Sequence, residues 1–144
     1  MTLDNLLGRA LEAVPKDAVN VERLMAAARR SLEDAQLPGM SSEGRFDMAY
    51  KSIMQAANAV LQANGFRTLT STPGHHQTMI QTLPLTMGLD RIRMITLDGL
   101  RKQRNLSDYS GDPVSEAMAQ DAVNQAVDLL LDIDNWFIDR LRHG

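Results

Sequence analysis

The sequence predicts an all-α protein, an up-and-down bundle of four principal helices plus a short N-terminal helix. Three observations predict it. Apolar residues recur at helical spacing along most of the chain, the connections between these stretches are short, and almost nothing alternates as a strand would.

At the N-terminus, Leu3, Leu6, Leu7, Ala10 and Leu11 suggest a short helix that Pro15 closes, so residues 1–19 form an N-terminal helical segment and residues 20–144 the bundle. Asn20 is a candidate N-cap for the first long helix, on which Val21, Leu24, Met25, Ala28, Leu32 and Ala35 form a stripe ended by LPGMSS. The second helix carries Phe46, Ala49, Tyr50, Ile53, Ala57, Val60 and Leu61, and Asn64-Gly65-Phe66 supplies a left-handed stop with an apolar contact. Alanines at 49, 56, 57, 59 and 63 permit close approach by another helix. RTLTSTPG reads as a turn-rich loop whose threonines are the only strand hint.

A third helix is expected near Gly74, with Met79, Ile80 and Leu83 on one side, and Pro84 kinks or ends it by removing an amide donor and crowding the preceding turn. A fourth spans about Asp90 to Ser107. The fifth is expected to open at Asp112-Pro113 and to bury Ala119, Ala122, Val123, Ala126, Leu130, Ile133 and Phe137.

With 144 residues the chain is long enough for one hydrophobic core and short for two. The composition, 44% hydrophobic and 23% charged, suits a globular protein, and 4% aromatics means that the core is built from Leu, Ile, Val, Met and Ala. The absence of cysteine excludes disulfides, thiolate metal sites and cysteine nucleophiles, and makes the cytoplasm the expected location. No apolar run approaches the roughly 20 residues of a membrane span, so no membrane association is expected. The net charge of −3 argues against a wholly cationic nucleic-acid coat, but charge is unevenly spread. Six basic residues face three acidic ones between Phe66 and Gly111, whereas Asp112 to Asp139 holds seven acids and neither Lys nor Arg.

The basic segment ends in RKQRNLSDYSGDP, residues 101–113. At about 100° per residue, Asp98, Arg101, Arg104, Asn105, Asp108 and Tyr109 gather within an arc of roughly 140°. Leu89, Ile92, Ile95, Leu100 and Leu106 lie largely outside it, while Met94 and Leu97 begin the same arc with apolar groups. Two readings follow. Asp98 can pair with Arg101 or Lys102, and Arg104 with Asp108, as a solvated stripe of ion pairs; or the face lines a groove or a subunit interface.

Arg104-Asn105-Leu106-Ser107-Asp108-Tyr109 resembles the arginine-asparagine motif near the end of the fourth helix in the HEPN family (higher eukaryotes and prokaryotes nucleotide-binding domain). Gly44-Arg45-Phe46-Asp47-Met48-Ala49-Tyr50 resembles that family's second helix, Gly65-Phe66-Arg67 its terminus, and Gly74-His75-His76 the start of its third. The likeness covers about residues 20 to 141. It implies a homodimer, often a metal-independent ribonuclease toxin beside a nucleotidyltransferase antitoxin, with RNA or a nucleotide as ligand.

By the same resemblance Arg104 is the phosphate-binding arginine and Asn105 the polar residue beside it. The family's active-site histidine follows at a spacing where Tyr109, Ser110 and Gly111 stand here. Tyr109 is therefore the candidate catalytic partner of Arg104, or, as in some relatives, a site of adenylate modification; Arg101 and Asp108 are candidate binding residues. An ordinary tyrosine, with a pKa near 10, is a poor base at neutral pH. His75 and His76 offer a substitute imidazole, and because adjacent helical residues point about 100° apart, only one of them is expected to face a given site. Capping or surface polarity is the alternative for both. Asp128, Asp132 and Asp139 read as a solvated face, and neither a metal nor a cofactor is expected. A non-catalytic interaction or dimerisation module remains the competing reading; no helix-turn-helix with a basic recognition helix is present.

Overall fold

A computed structural model describes residues 2–71 and 73–143. After a 3-10 turn over Asp4–Leu6 come β1 (Leu11–Ala13), α1 (Ala18–Ala35), α2 (Ser42–Ala63), β2 (Phe66–Thr68), α3 (His75–Gln81), α4 (Leu83–Met87), α5 (Arg91–Ser110) and α6 (Glu116–His143). The protein is mostly helical, with one small antiparallel sheet of two strands. None of the helices among the described residues is long and apolar enough to cross a membrane.

Local chemistry sets the helix boundaries. The Asp17 carboxylate accepts from the Val19 and Asn20 amides, so α1 begins ahead of the expected Asn20 cap. Asn20 is thereby inside the helix, and its carboxamide donates to Gln62 instead. Ser41 caps α2 through the Gly44 amide, and Asp90 caps α5 through Ile92. The start of α6 differs from Asp112-Pro113: Val114 is drawn into the core, which keeps the chain extended, and the Ser115 hydroxyl accepts from the Met118 amide. Pro84 breaks the third predicted helix, as its missing donor requires, into α3 and α4.

The N-terminal segment differs from the short helix expected ahead of Pro15, within a fold that is mostly helical. Gly8, at φ +79°, turns the chain between Leu7 and Leu11, a backbone conformation no helix contains. Leu11 is then fully buried as part of β1, which pairs with β2 in the register Leu11↔Thr68, Glu12↔Arg67 and Ala13↔Phe66. Arg67 and Glu12 form an ion pair directly across the ladder. Short strands of this kind leave little periodicity to read, and the threonines of RTLTSTPG were the one trace of it.

α2 is the most buried element and packs against both α1 and α6, which touch each other less. Its alanines at 49, 56, 57 and 59 let the neighbours approach closely. The Ser52 hydroxyl, fully buried, donates to the Ala28 carbonyl at 2.7 Å, a satisfied polar link inside the α1–α2 contact. From α6, Ala119, Ala122, Val123, Ala126, Leu129, Leu130 and Ile133 enter the same core. α5 rests mainly on α3 and buries only Leu97, Asp98 and Leu100. Its last turn closes at Gly111, whose φ of +70° lets its amide reach the Ser107 carbonyl.

Candidate functional site

Helical spacing on α2 aligns Asp47, Lys51, Gln55 and Asn58 beside the apolar stripe, with Tyr50 and Met54 next to them. Together with His76 and Met79 of α3 and Arg104 of α5, they line a cleft of about 450 Å³, within the size range of small-ligand pockets. Three separate helices thus contribute to one concavity.

Tyr50 joins the two ends of this constellation. Only 1% exposed, it packs as core, yet its hydroxyl oxygen lies 3.1 Å from Nδ1 of His76. The Arg104 guanidinium sits over the Tyr50 ring, 5.0 Å from its centroid, where a cation meets the negative face of the π-system. Burial raises the Tyr50 phenol above its usual pKa, with Arg104 and Arg101 pulling the other way. It is protonated at neutral pH. Burial also lowers the pKa of His76, helped by His75, Arg104 and Arg101, which favours the neutral imidazole. When its Nδ1–H donates to Tyr50, Nε2 keeps a lone pair; with the bond reversed, Nε2 carries the proton. Asp47 is raised by burial, opposed by Arg104 and reinforced by Asp108 and Glu43.

The two arginines of the motif have different tasks. Arg101 makes a forked contact with Asp98, Nε to Oδ1 at 2.7 Å and Nη2 to Oδ2 at 3.3 Å, and Lys102 stands 3.8 Å from the same carboxylate. Asp98 is only 8% exposed, so Arg101 neutralises a buried charge. Arg104 meets Asp108 at 3.8 Å with both side chains well exposed, a loose pair that leaves the guanidinium available to the cleft.

Of the residues singled out from the sequence, the cleft brings together Arg104 and His76. Arg101 stands behind them through Asp98, while His75 is exposed and meets the His76 ring edge-on at 4.8 Å. Asn105 and Asp108 are exposed and outside the cleft lining. Tyr109 is 91% exposed and also outside it, so the fold does not join it to Arg104 in a shared cavity. Asp47, Lys51, Gln55 and Asn58 were missed from the sequence, although their spacing along α2 is a legible polar stripe.

The outer face of α5 carries exposed apolar residues. Ile92 and Ile95 are 73% and 62% exposed, and Leu106 lies on the surface with them. On α6, Asp132 pairs with Arg93 of α5, and among the described residues no group of three or more His, Asp or Glu side chains is placed to hold a metal ion.

Compared with models of protein families, with curated proteins and with solved structures, the chain matches none.

Proposed function

We propose that this protein is a HEPN-like homodimer built on an up-and-down helical bundle, binding the phosphate of RNA or a nucleotide through Arg104 and acting as a metal-independent ribonuclease. The observation that carries this reading is the linkage of Arg104 to His76 through Tyr50 on one cleft. An arginine supplies the charge that a phosphoryl transition state needs, and a neutral imidazole supplies a base. His76 Nε2 takes the proton of a ribose 2′-hydroxyl, the oxygen attacks the adjacent phosphorus, and the 5′-oxygen leaves with a proton from water. A 2′,3′-cyclic phosphate and a 5′-hydroxyl end result. The histidine missing after Arg104 in the chain is thus replaced from α3.

In this reading α5 pairs with its copy through Ile92, Ile95 and Leu106, and the genetic setting is a toxin–antitoxin or phage-defence system with a nucleotidyltransferase-type antitoxin, in the cytoplasm. Incubation of wild type, Arg104→Ala and His76→Ala with a mixed RNA pool in EDTA tests it. Cleavage by wild type alone supports the assignment. Cleavage by none of them, at concentrations where the dimer is populated, removes the ribonuclease.

The exposed apolar side of α5 favours one second reading, a non-catalytic dimerisation module in which Arg104 and Asp108 are interface ion pairs. There Arg104→Ala changes the oligomeric state, whereas loss of an active-site arginine leaves the dimer intact.

A further inference from the structure

The α2 wall of the cleft has a polarity that its composition conceals. Gln55 and Asn58 each carry one acceptor and two donor hydrogens. The Gln55 oxygen already accepts from the Ser31 hydroxyl at 2.7 Å, and the Asn58 oxygen accepts from Nε2 of Gln62 at 3.1 Å. Gln62 is itself oriented by the Asn20 carboxamide, which donates to its oxygen. Internal bonds therefore hold both carboxamides by their oxygens, which occupies one lone pair of each and leaves N–H as the larger part of what they offer a ligand. Lys51 and Arg104 add cationic donors to the same lining. Met54 and Met79 supply polarisable apolar surface, which packs well against flat aromatic rings.

With Lys51 and Arg104 set against the carboxylate of Asp47, a cleft that offers mostly donors between thioether walls fits a flat heterocycle that presents acceptors and carries an anionic group. We infer that Gln55 and Asn58 read the acceptor edge of a nucleobase whose phosphate is held by Arg104. This rests on the phosphate-directed reading of Arg104 and adds a specificity to it: the directional chain Asn20→Gln62→Asn58 sets which hydrogen-bonding edge is accepted. A carboxamide free to flip has no such preference; these two are held.

Calorimetric titration of the full chain in EDTA tests the inference, with the four nucleoside 5′-monophosphates, ribose 5-phosphate, inorganic phosphate and the uncharged nucleosides as separate probes. At least one nucleotide binds about tenfold or more tighter than ribose 5-phosphate, as one to two well-placed hydrogen bonds produce. Asn58→Leu and, independently, Gln55→Met shrink that gap to about twofold and leave ribose 5-phosphate affinity unchanged. Two variants on different turns keep the test open if one fails to fold, which thermal unfolding reports. A wild type that binds every nucleotide no better than ribose 5-phosphate overturns the base pocket, as does a gap that survives in both variants. If phosphate and ribose 5-phosphate do not bind, or bind equally to Arg104→Ala, the Arg104 reading falls. The nucleosides then decide the pocket on their own: binding that Asn58→Leu abolishes upholds it, and no binding removes it.

Discussion

The Tyr50 hydroxyl lies 3.1 Å from Nδ1 of His76 while the ring below it carries the Arg104 guanidinium on its face, so one buried phenol holds a base and a cation on the same cleft. Tyr50→Phe removes the oxygen and keeps the ring. The expected loss is about 1 kcal/mol of stability, measured by urea denaturation, since one hydrogen bond is removed and His76 still reaches water. The Arg104 guanidinium keeps the π-face to rest on. Chemical shifts of the His76 ring nitrogens change in the variant; an unchanged spectrum would show that the bond is not formed in solution.

His76 also gives the fold a pH dependence whose sign is fixed. Its folded-state pKa is lowered, chiefly by burial, so the folded protein binds this proton less readily than the unfolded chain does. Stability is therefore fully present above the ordinary histidine value of about 6.5 and declines as the pH falls through it toward the lowered folded value. Unfolding free energies of wild type and His76→Gln, compared from about pH 7.5 to pH 5, should diverge with the wild type falling more steeply. Parallel curves would refute the shift.

The two arginines should separate by stability. Arg101→Met strips the buried Asp98 of its forked partner and leaves only Lys102 at 3.8 Å, at an expected cost of about 3 kcal/mol. Arg104→Ala loses the loose pair with Asp108 and the contact over the Tyr50 ring, and should cost about 1 to 2 kcal/mol, still less than Arg101→Met. Denaturant midpoints for the two variants check this, and the second result is what makes Arg104→Ala a usable probe of function. Equal losses would mean that Arg104 is structural.

A fourth comparison concerns assembly. Ile95→Glu places a charge on the exposed side of α5, where Ile95 is 62% exposed. If this face pairs with its copy, light scattering on a sizing column should show a dimer for wild type and a monomer for the variant, with secondary structure unchanged by circular dichroism. A dimer in both would move the interface elsewhere.

The left-handed turn at Gly111 yields a purely backbone prediction. A methyl group there meets no atom within 4 Å, so Gly111→Ala should lower stability by about 1 kcal/mol through its φ of +70° alone. A thermal midpoint equal to wild type would contradict that.

The long helices were legible because each carries a stripe, such as Phe46 to Leu61, repeated often enough to outweigh local exceptions. The first turns were harder. Asn20, Asp112 and Pro113 have the right side chains for a helix start, but Asp17 and Ser115 perform the capping because Asn20 is engaged by Gln62 and Val114 by the core. β1 and β2 were hidden by their brevity and by leucines at 3, 6, 7 and 11, whose spacing imitates a helix although Gly8 turns the chain between them. On α5 periodicity located the faces but not which of them is covered: Leu97 and Leu100 are buried, whereas Ile92 and Ile95 are not. The cleft escaped because Tyr50 looks like any core aromatic; the approach of α3 and α5 is what surrounds its hydroxyl with polar groups.

The uneven burial of the helices has a consequence for motion. α2 is locked between α1 and α6, while α5 is anchored by three buried residues. Local opening is cheapest where buried contacts are fewest, so amide protons of α5 should exchange well before those of α2. The cleft accordingly has one rigid jaw, bearing Tyr50, Gln55 and Asn58, and one compliant jaw, bearing Arg104. A ligand bound as proposed would be measured against the first and clasped by the second.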